Sequence, residues 1–258
     1  MNEKINSKIK NKMIENRNLL KNNREGMKGY ITDQQNGFPY PDIEKEYEND
    51  SKRIILPSPD AVTIINNDIY ECINNRKSRR EFTDKSITIE DLSYLLWATQ
   101  GIKNYSPDGK KVLRTVPSGG CRHPFVTYLA VNNVTGLEMG IYRYLPVKHK
   151  LVFLFKIRDL RKRLTDAACN QKFAGECAVC FIWSAVPYRT EWRYGTAAYK
   201  DILIEAGHLC QNLYLAVESI GCGTCAIAAY KQKDMDEIIN VDGNEEMTIY
   251  LAPVGTLN

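Results

Sequence analysis

Arg76, Ser78 and Arg80 recur at every second position in the run Arg76-Lys77-Ser78-Arg79-Arg80-Glu81-Phe82. In an extended segment such residues share one face, roughly 7 Å apart. Two guanidinium forks with a hydroxyl between them match the oxygens of a phosphate, to which charge-assisted, bidentate hydrogen bonds are the strong kind. The competing reading is a solvated basic face. Pro117-Ser118-Gly119-Gly120 is the second chemical feature. Two glycines beside a hydroxyl let backbone N–H groups approach a flat or anionic ligand, and the same composition also suits a plain turn. Ser118 with His123 as base would make a nucleophile, but the G-x-S-x-G elbow and a third member are missing.

Cys177-Ala-Val-Cys180 and Cys222-Gly-Thr-Cys225 have the paired spacing of a structural zinc site. Residues 177–186, however, read as a buried strand, on which residues three apart point to opposite faces and cannot share a metal. His123, His149 and His208 are far apart in sequence, so no metal is expected.

Helices and strands must position these groups. A short helix is expected to end near Arg76. A second is marked by Thr88 as N-cap, Asp91 three residues on, Leu92, Leu95, Leu96 and Thr99 on one face, and Gly101 as the stop. Strands are expected at residues 125–132, 140–144, 151–156, 224–228 and 247–254 from their β-branched and aromatic content. Shorter helices are expected at residues 159–168 and 234–240. The longest, over residues 196–219, carries Tyr199, Ile202, Leu203, Ala206, Cys210, Leu213, Tyr214 and Val217 on one stripe, with His208 read as a core residue. Interleaved helices and hairpin-like strands give an α+β class.

At 258 residues and a net charge of +4, the chain suits one main domain, here residues 60–258, preceded by an arm over residues 1–59 that is polar and then Pro- and Gly-punctuated. Its basic residues are interspersed with acidic ones, which argues against nucleic acid and membrane partners. No apolar run reaches the roughly 20 residues of a membrane span and no signal peptide opens the chain, so a cytoplasmic protein with reduced cysteines is expected.

Taken in order, Arg76-x-Ser78-x-Arg80-x-Phe82, Leu95-Leu-Trp-Ala-Thr-Gln-Gly101, Pro117-Ser-Gly-Gly-Cys-Arg-His-Pro124, Gly140-Ile-Tyr-Arg-Tyr-Leu-Pro146, Trp192-Arg-Tyr-Gly195, Glu205-Ala-Gly-His208 and Gly221-Cys-Gly-Thr-Cys-Ala-Ile-Ala-Ala-Tyr230 resemble the nitroreductase family of flavoenzymes. The resemblance is narrower to its SagB-type, thiazole/oxazole (azoline) dehydrogenase-like branch and its stand-alone relatives. It implies a nitroreductase-like fold, a central mostly antiparallel sheet flanked by helices, in an intertwined homodimer that holds FMN at its interface. Arg76, Ser78 and Arg80 would then bind the phosphate, ribityl chain and pyrimidine edge. Pro117, Ser118, Gly119 and Gly120 of the other subunit would lie against the isoalloxazine. Ala226, Ile227, Ala228 and Ala229 would run beside the ring, one N–H meeting its N5.

The sequence departs from that pattern in two places. No basic residue follows Pro253-Val-Gly255 to complete the phosphate site, which makes Arg114 a candidate substitute. The Lys-Tyr pair of azoline dehydrogenases is here Arg193-Tyr194, and arginine is a poor general base. Arg193 and Tyr194 are nonetheless the candidate catalytic residues, Tyr194 as a proton donor. The expected activity is NAD(P)H-driven two-electron reduction of a small nitro, quinone or activated-alkene acceptor. The alternatives are azoline oxidation of a peptide-like substrate, or a flavin- or zinc-binding protein without turnover.

Overall fold

The computed structural model describes residues 2–21, 25–48 and 50–258. Helix α1 (Asn2–Asn16) opens the arm, and β1 (Arg53–Ile55) closes it. Then come α2 (Ile69–Asn75), α3 (Ile89–Gln100), β2 (Ile102–Tyr105), β3 (Val112–Arg114), β4 (Phe125–Val131), β5 (Gly140–Leu145) and β6 (Lys150–Phe155). The second half contributes α4 (Leu160–Ala167), α5 (Phe173–Glu176), β7 (Val179–Ala185), α6 (Tyr188–Tyr194), α7 (Ala198–Ser219), β8 (Cys222–Thr224), α8 (Gln232–Ile239) and β9 (Met247–Thr256). Among the described residues, no helix is long and apolar enough to cross a membrane.

Seven strands form one antiparallel sheet in the order β1-β6-β5-β4-β7-β9-β8, and β2 and β3 pair as a separate ribbon. The period-2 alternation of β7 divides the core. Val179, Phe181, Trp183 and Ala185 face the layer of α3 and α7, while Cys180 and Ile182 face the layer of α4 and α8. Both faces of β4 and β7 are covered, which is why these strands are continuous apolar runs. This is the α+β architecture expected from the sequence, a mostly antiparallel sheet flanked by helices.

Two chemical details fix the helices that matter. Thr88 and Asp91 close a reciprocal capping box, Asp91 N–H donating to Thr88 Oγ1 at 3.0 Å and Thr88 N–H to Asp91 Oδ2 at 3.1 Å. α3 stops at Gly101, whose backbone turns extended (φ −60°, ψ 141°) and where a Cβ would lie 2.6 Å from the Trp97 carbonyl oxygen. α7 packs Ile202, Ala206, Leu209, Cys210, Leu213 and Val217 on the sheet, each large aliphatic side chain contributing about 1.5–3 kcal/mol by burial.

Several expectations change. Tyr199 and Leu203, placed on the buried stripe, are exposed, as is His208. The helix expected to run up to Arg76 covers only its last two turns, Ile69–Asn75. Cys177 lies before β7 begins, so the alternation that would separate it from Cys180 does not apply. Both thiols are buried in the same apolar cluster, and the Cys180 thiol, beside Cys177, is held well above its ordinary pKa. All eight cysteines are free thiols. The arm's last strand, β1, adds an edge to the sheet by pairing with β6.

Candidate functional site

The Arg76–Arg80 run leaves α2 in extended conformation and makes a parallel bridge, Ser78 to Thr224, with the end of β8. Alternation then separates its side chains. Arg79 turns inward, pairing with Glu218 at 3.2 Å, and lies over Gly223, where a Cβ would be 2.8 Å from its Cδ. Phe82 seats on Gly255 in the same way, a Cβ there falling 2.7 Å from the ring. Arg76 and Arg80 are left on the outer face, and neither forms an ion pair among the described residues. Arg76 lies 5.3 Å above the Tyr214 ring and Arg80 6.0 Å from that of Phe173.

Tyr214, on α7, joins this run to the segment that follows β8, where the strand expected over 224–228 ends at Thr224 and only an isolated bridge, Ile227 to Leu251, continues it. Its hydroxyl hydrogen-bonds that of Ser78 at 3.0 Å and accepts the Ala226 N–H at 2.8 Å. Ile227 N–H is already given to the Leu251 carbonyl at 2.8 Å. Ala228 and Ala229 are exposed, and no described residue accepts from either N–H. One chain therefore brings Arg76, Ser78 and Arg80 together with Ala226, Ile227, Ala228 and Ala229, and the two N–H groups free for a ligand are the last two.

The Pro117–Gly120 loop is built differently. Its Gly119 N–H donates to Glu205 Oε1 at 2.7 Å, and Ser118 Oγ accepts the His123 N–H at 2.8 Å. Gly120, Cys121 and His123 all have positive φ, at 59°, 57° and 46°. Only glycine adopts that region without cost, so the loop stores strain that its hydrogen bonds hold in place. A Cβ on Gly120 would meet the Tyr194 hydroxyl at 2.7 Å and Arg193 Cδ at 3.0 Å. The loop thus packs directly on Arg193 and Tyr194, at the C-terminus of α6. Burial is the largest influence on Glu205, raising its pKa to about 7 against the lowering effect of its bonds to Gly119 and Ser118. His123 is no base for Ser118: its Nε2 meets the Val112 carbonyl at 3.0 Å, and burial depresses its pKa to about 3.

The arm lies over this second set. Tyr40 packs on Trp192 with ring centroids 4.6 Å apart, and Arg122 lies 5.0 Å from both rings. Trp192 Nε1 donates to the Phe38 carbonyl at 3.3 Å, and Gln34 N–H to the Trp192 carbonyl at 2.9 Å. Arg114 is not a phosphate ligand in this geometry. It is buried beneath the arm, bonded to Gln100 Oε1 and, at 3.1 Å, to the Ile43 carbonyl.

The two sets are not brought together by one chain. Glu205 and Tyr214 are nine residues apart on α7, which puts them about 13 Å apart along the axis and on opposite sides of the helix. Glu205 and Tyr214 carry no role in the sequence reading. The signals were present, a carboxylate at a core position of the helix and a phenol on its apolar stripe, but their partners lie 86 and 136 residues away in sequence. Among the described residues no group of three or more His, Cys, Asp or Glu is placed to hold a metal.

Comparison with known proteins identifies the family and the fold. The chain is 30% identical over 206 residues to a nitroreductase-type protein of Methanocaldococcus jannaschii, covering 80% of this chain and 97% of that one. Its fold superposes with a TM-score of 0.70 on a nitroreductase-type protein of Anabaena variabilis, at 24% identity over 85% of this chain. This chain spans only 45% of that longer protein. It also superposes, with a TM-score of 0.58 and 19% identity over 91% of both chains, on a component of the E. coli microcin synthetase McbBCD complex, a structure with truncated pro-MccB17 bound. The nitroreductase family model matches residues 73–256, from just before the arginine run to the end of the last strand, so every motif of both sets lies inside the match and the chain belongs to the nitroreductase family.

Proposed function

We propose that this chain is an FMN-dependent oxidoreductase that takes a hydride from NADH or NADPH and delivers it to a small electron-poor acceptor of the nitro, quinone or activated-alkene type. The observation that carries this reading is the open face formed by Arg76, Ser78 and Arg80 against the Ala226–Ala229 backbone. It offers unpaired cations and unpaired N–H groups side by side. That donor set fits FMN: guanidinium groups and a hydroxyl for the phosphate end, amide donors for the ring. When bound, FMN supplies reversible two-electron chemistry at its N5.

In this reading Arg76 and Arg80 bind the phosphate, with Ser78 at the ribityl chain. Tyr214 holds Ser78 and Ala226 at fixed separation, and Ala228 or Ala229 presents the N–H that stabilises negative charge on the reduced ring. Pro117, Ser118, Gly119 and Gly120 come from a second copy and cover the ring, bringing Arg193 and Tyr194 beside the acceptor as cation and proton donor. On this reading the separation of the two sets on α7 is bridged by a second copy of the chain, in a homodimer. Exposed Ile65, Ile69, Tyr70, Ile73, Leu203 and Ile204 supply apolar surface of the kind such a partner covers. Residues 1–59 form the arm and residues 60–258 the FMN-binding domain, with β1 fastening the one to the other.

An absorbance spectrum after addition of FMN, followed anaerobically with NADH and then NADPH, tests the reading. Flavin bands that bleach with either donor are expected. A protein that retains no FMN would overturn it. A second reading, oxidation of an azoline in a peptide-like substrate, is favoured by the superposition on a chain of the microcin synthetase complex. There Arg193→Lys should raise azoline oxidation, because lysine can release a proton where arginine cannot. An unchanged, undetectable rate in that variant counts against it.

A further inference from the structure

Behind the Pro117–Gly120 loop, the Glu205 carboxyl is buried, only 6% exposed, and is bonded by two successive loop residues. Gly119 N–H donates to its Oε1 at 2.7 Å, and the Ser118 side chain is its second partner. A serine hydroxyl carries one hydrogen and two acceptor lone pairs. Ser118 Oγ already accepts the His123 N–H at 2.8 Å. An ionised Glu205 can only accept, so Ser118 must spend its one hydrogen on the carboxylate. A protonated Glu205 reverses the bond. The carboxyl then donates, Ser118 Oγ accepts twice, and the serine hydrogen is released.

Ser118 is half-buried and follows exposed Pro117, so the released hydrogen has an open side to face. The surroundings hold Glu205 close to its point of change. Burial and the negative charge of Asp201, one turn earlier on α7, favour the proton, the two loop bonds and Arg114 oppose it, and the pKa settles at about 7. Tyr194 and Arg193 of α6 complete the packing. Tyr194 Cε2 and Asp201 Oδ2 lie 3.6 and 3.7 Å from where a Cβ on Gly119 would be, and Arg193 Nε 3.0 Å from one on Gly120. Arg122 Nε donates to the Gly120 carbonyl at 3.1 Å. Burial lowers Arg114 to about 10 and His123 to about 3, so neither changes charge near neutrality.

We propose that Glu205 is a positioning residue for the flavin: protonated, it frees the Ser118 hydroxyl to donate to the ring bound by the other copy of the chain; ionised, it takes that hydrogen back. This rests on the reading above, in which the loop of one copy covers the ring held by its partner. Glu205 touches neither ring nor acceptor and acts through Ser118. FMN then binds more tightly to the protonated form, and by linkage its binding draws a proton onto Glu205. Glu205→Gln fixes the protonated arrangement, because its amide oxygen can keep the Gly119 N–H while its NH2 donates to Ser118 Oγ.

The test is a fluorescence-quenching titration with FMN between pH 5.5 and 8.5 of the full-length parent, Glu205→Gln, Ser118→Ala and the double variant. The FMN phosphate also titrates here, at about 6, but alike for all of them, so ratios of Kd carry the result. The parent should match Glu205→Gln at pH 5.5 and bind roughly two- to ten-fold more weakly at pH 8.5, the worth of one hydrogen bond. In the Ser118→Ala background that pH-dependent ratio should vanish, which a carboxylate acting only by its charge or by holding the loop would not produce. A ratio flat with pH, or one that survives loss of the Ser118 hydroxyl, overturns the proposal and leaves the FMN site standing. Absence of FMN binding in every variant and in the parent overturns both. If Ser118→Ala does not fold, calorimetry at pH 7.5 in buffers of different ionisation enthalpy decides: the parent should take up more protons on binding FMN than Glu205→Gln, and equal counts overturn the proposal.

Discussion

Two regions hang from α7 and are built on opposite principles. Around Tyr214, the donors are exposed and largely unspent: Arg76 and Arg80 have no carboxylate partner, and the N–H groups of Ala228 and Ala229 have no acceptor. Around Glu205, almost every polar group is already engaged, and three positive-φ residues are locked between Ser118, Glu205 and the Arg193-Tyr194 pair. On the proposed reading the first region is completed by a ligand, whereas the second is already held by the protein's own contacts. A binding site needs unsatisfied donors where the ligand's charge will sit, and a rigid wall where only its shape matters.

The largest effect should come from the open region. Replacing Arg76 and Arg80 together by alanine removes two charge-assisted contacts, each worth about 1.5–3 kcal/mol, so FMN affinity should fall by roughly two to four orders of magnitude in a fluorescence-quenching titration. Thermal stability of the FMN-free protein should change little, because among the described residues these side chains form no ion pair and their remaining contacts are with the Tyr214 and Phe173 rings and the Ser78 carbonyl. An FMN affinity within a few-fold of the original would place the phosphate elsewhere.

Gly120→Ala probes the locked region and should do the reverse. The new Cβ must occupy a left-handed backbone position at φ 59° and sits 2.7 Å from the Tyr194 hydroxyl. A loss of about 1–3 kcal/mol is expected, lowering Tm by several degrees while the affinity conferred by Arg76 and Arg80 persists. Equal damage to stability and affinity would mean that the two regions are one.

Much of this contrast was legible from local chemistry. The Arg76-x-Ser78-x-Arg80 alternation needs only a two-residue period, and a parallel bridge to Thr224 supplies the extended backbone it presupposes. The α3 boundaries follow from Thr88, Asp91 and Gly101 within the helix itself. What could not be read depends on contacts made late in folding. Tyr199 and Leu203 match the helical stripe of α7 as well as Ile202 does, yet only the neighbouring elements decide which of them the sheet covers. Arg114 is a plausible phosphate ligand by composition, but the arm, 71 residues earlier in sequence, lies across it. The facing argument for Cys177 fails because β7 begins two residues later than expected, at Val179, and strand alternation holds only inside the strand.

A smaller effect separates the regions by pH. The Glu205 carboxyl titrates at about 7 in the folded chain, well above its ordinary range, chiefly because it is buried. The folded state therefore keeps a proton that the unfolded chain releases at lower pH. The stability this contributes is full below the unfolded carboxyl pKa of about 4.3, declines as pH rises, and is gone above about 7. Glu205→Gln does not titrate, so its stability relative to the parent should improve by on the order of 2 kcal/mol between pH 4.5 and 8 in denaturant titrations. Since the histidines are common to both proteins, their titration cancels in the difference. A flat difference would show the carboxylate to be ionised throughout, with the Gly119 N–H bond strong enough to offset its burial.

Tyr214→Phe should have the smallest effect and the sharpest bearing on the comparison. Removing the hydroxyl frees the Ala226 N–H and Ser78, each of which water can satisfy because both lie at an accessible face. The loss should be about 1 kcal/mol, or roughly five-fold in FMN affinity, with Tm changed by only a few degrees. If the open region is a set of independent donors awaiting a ligand, this modest cost should add to that of Arg76→Ala in the double variant. If Tyr214 instead preorganises the face as Glu205 preorganises the loop, the two losses will fall short of additivity, because a displaced Ser78 has already cost Arg76 its geometry. The region would then be locked as well, but by a phenol, and the contrast between the two sides of α7 would reduce to how much charge each leaves exposed.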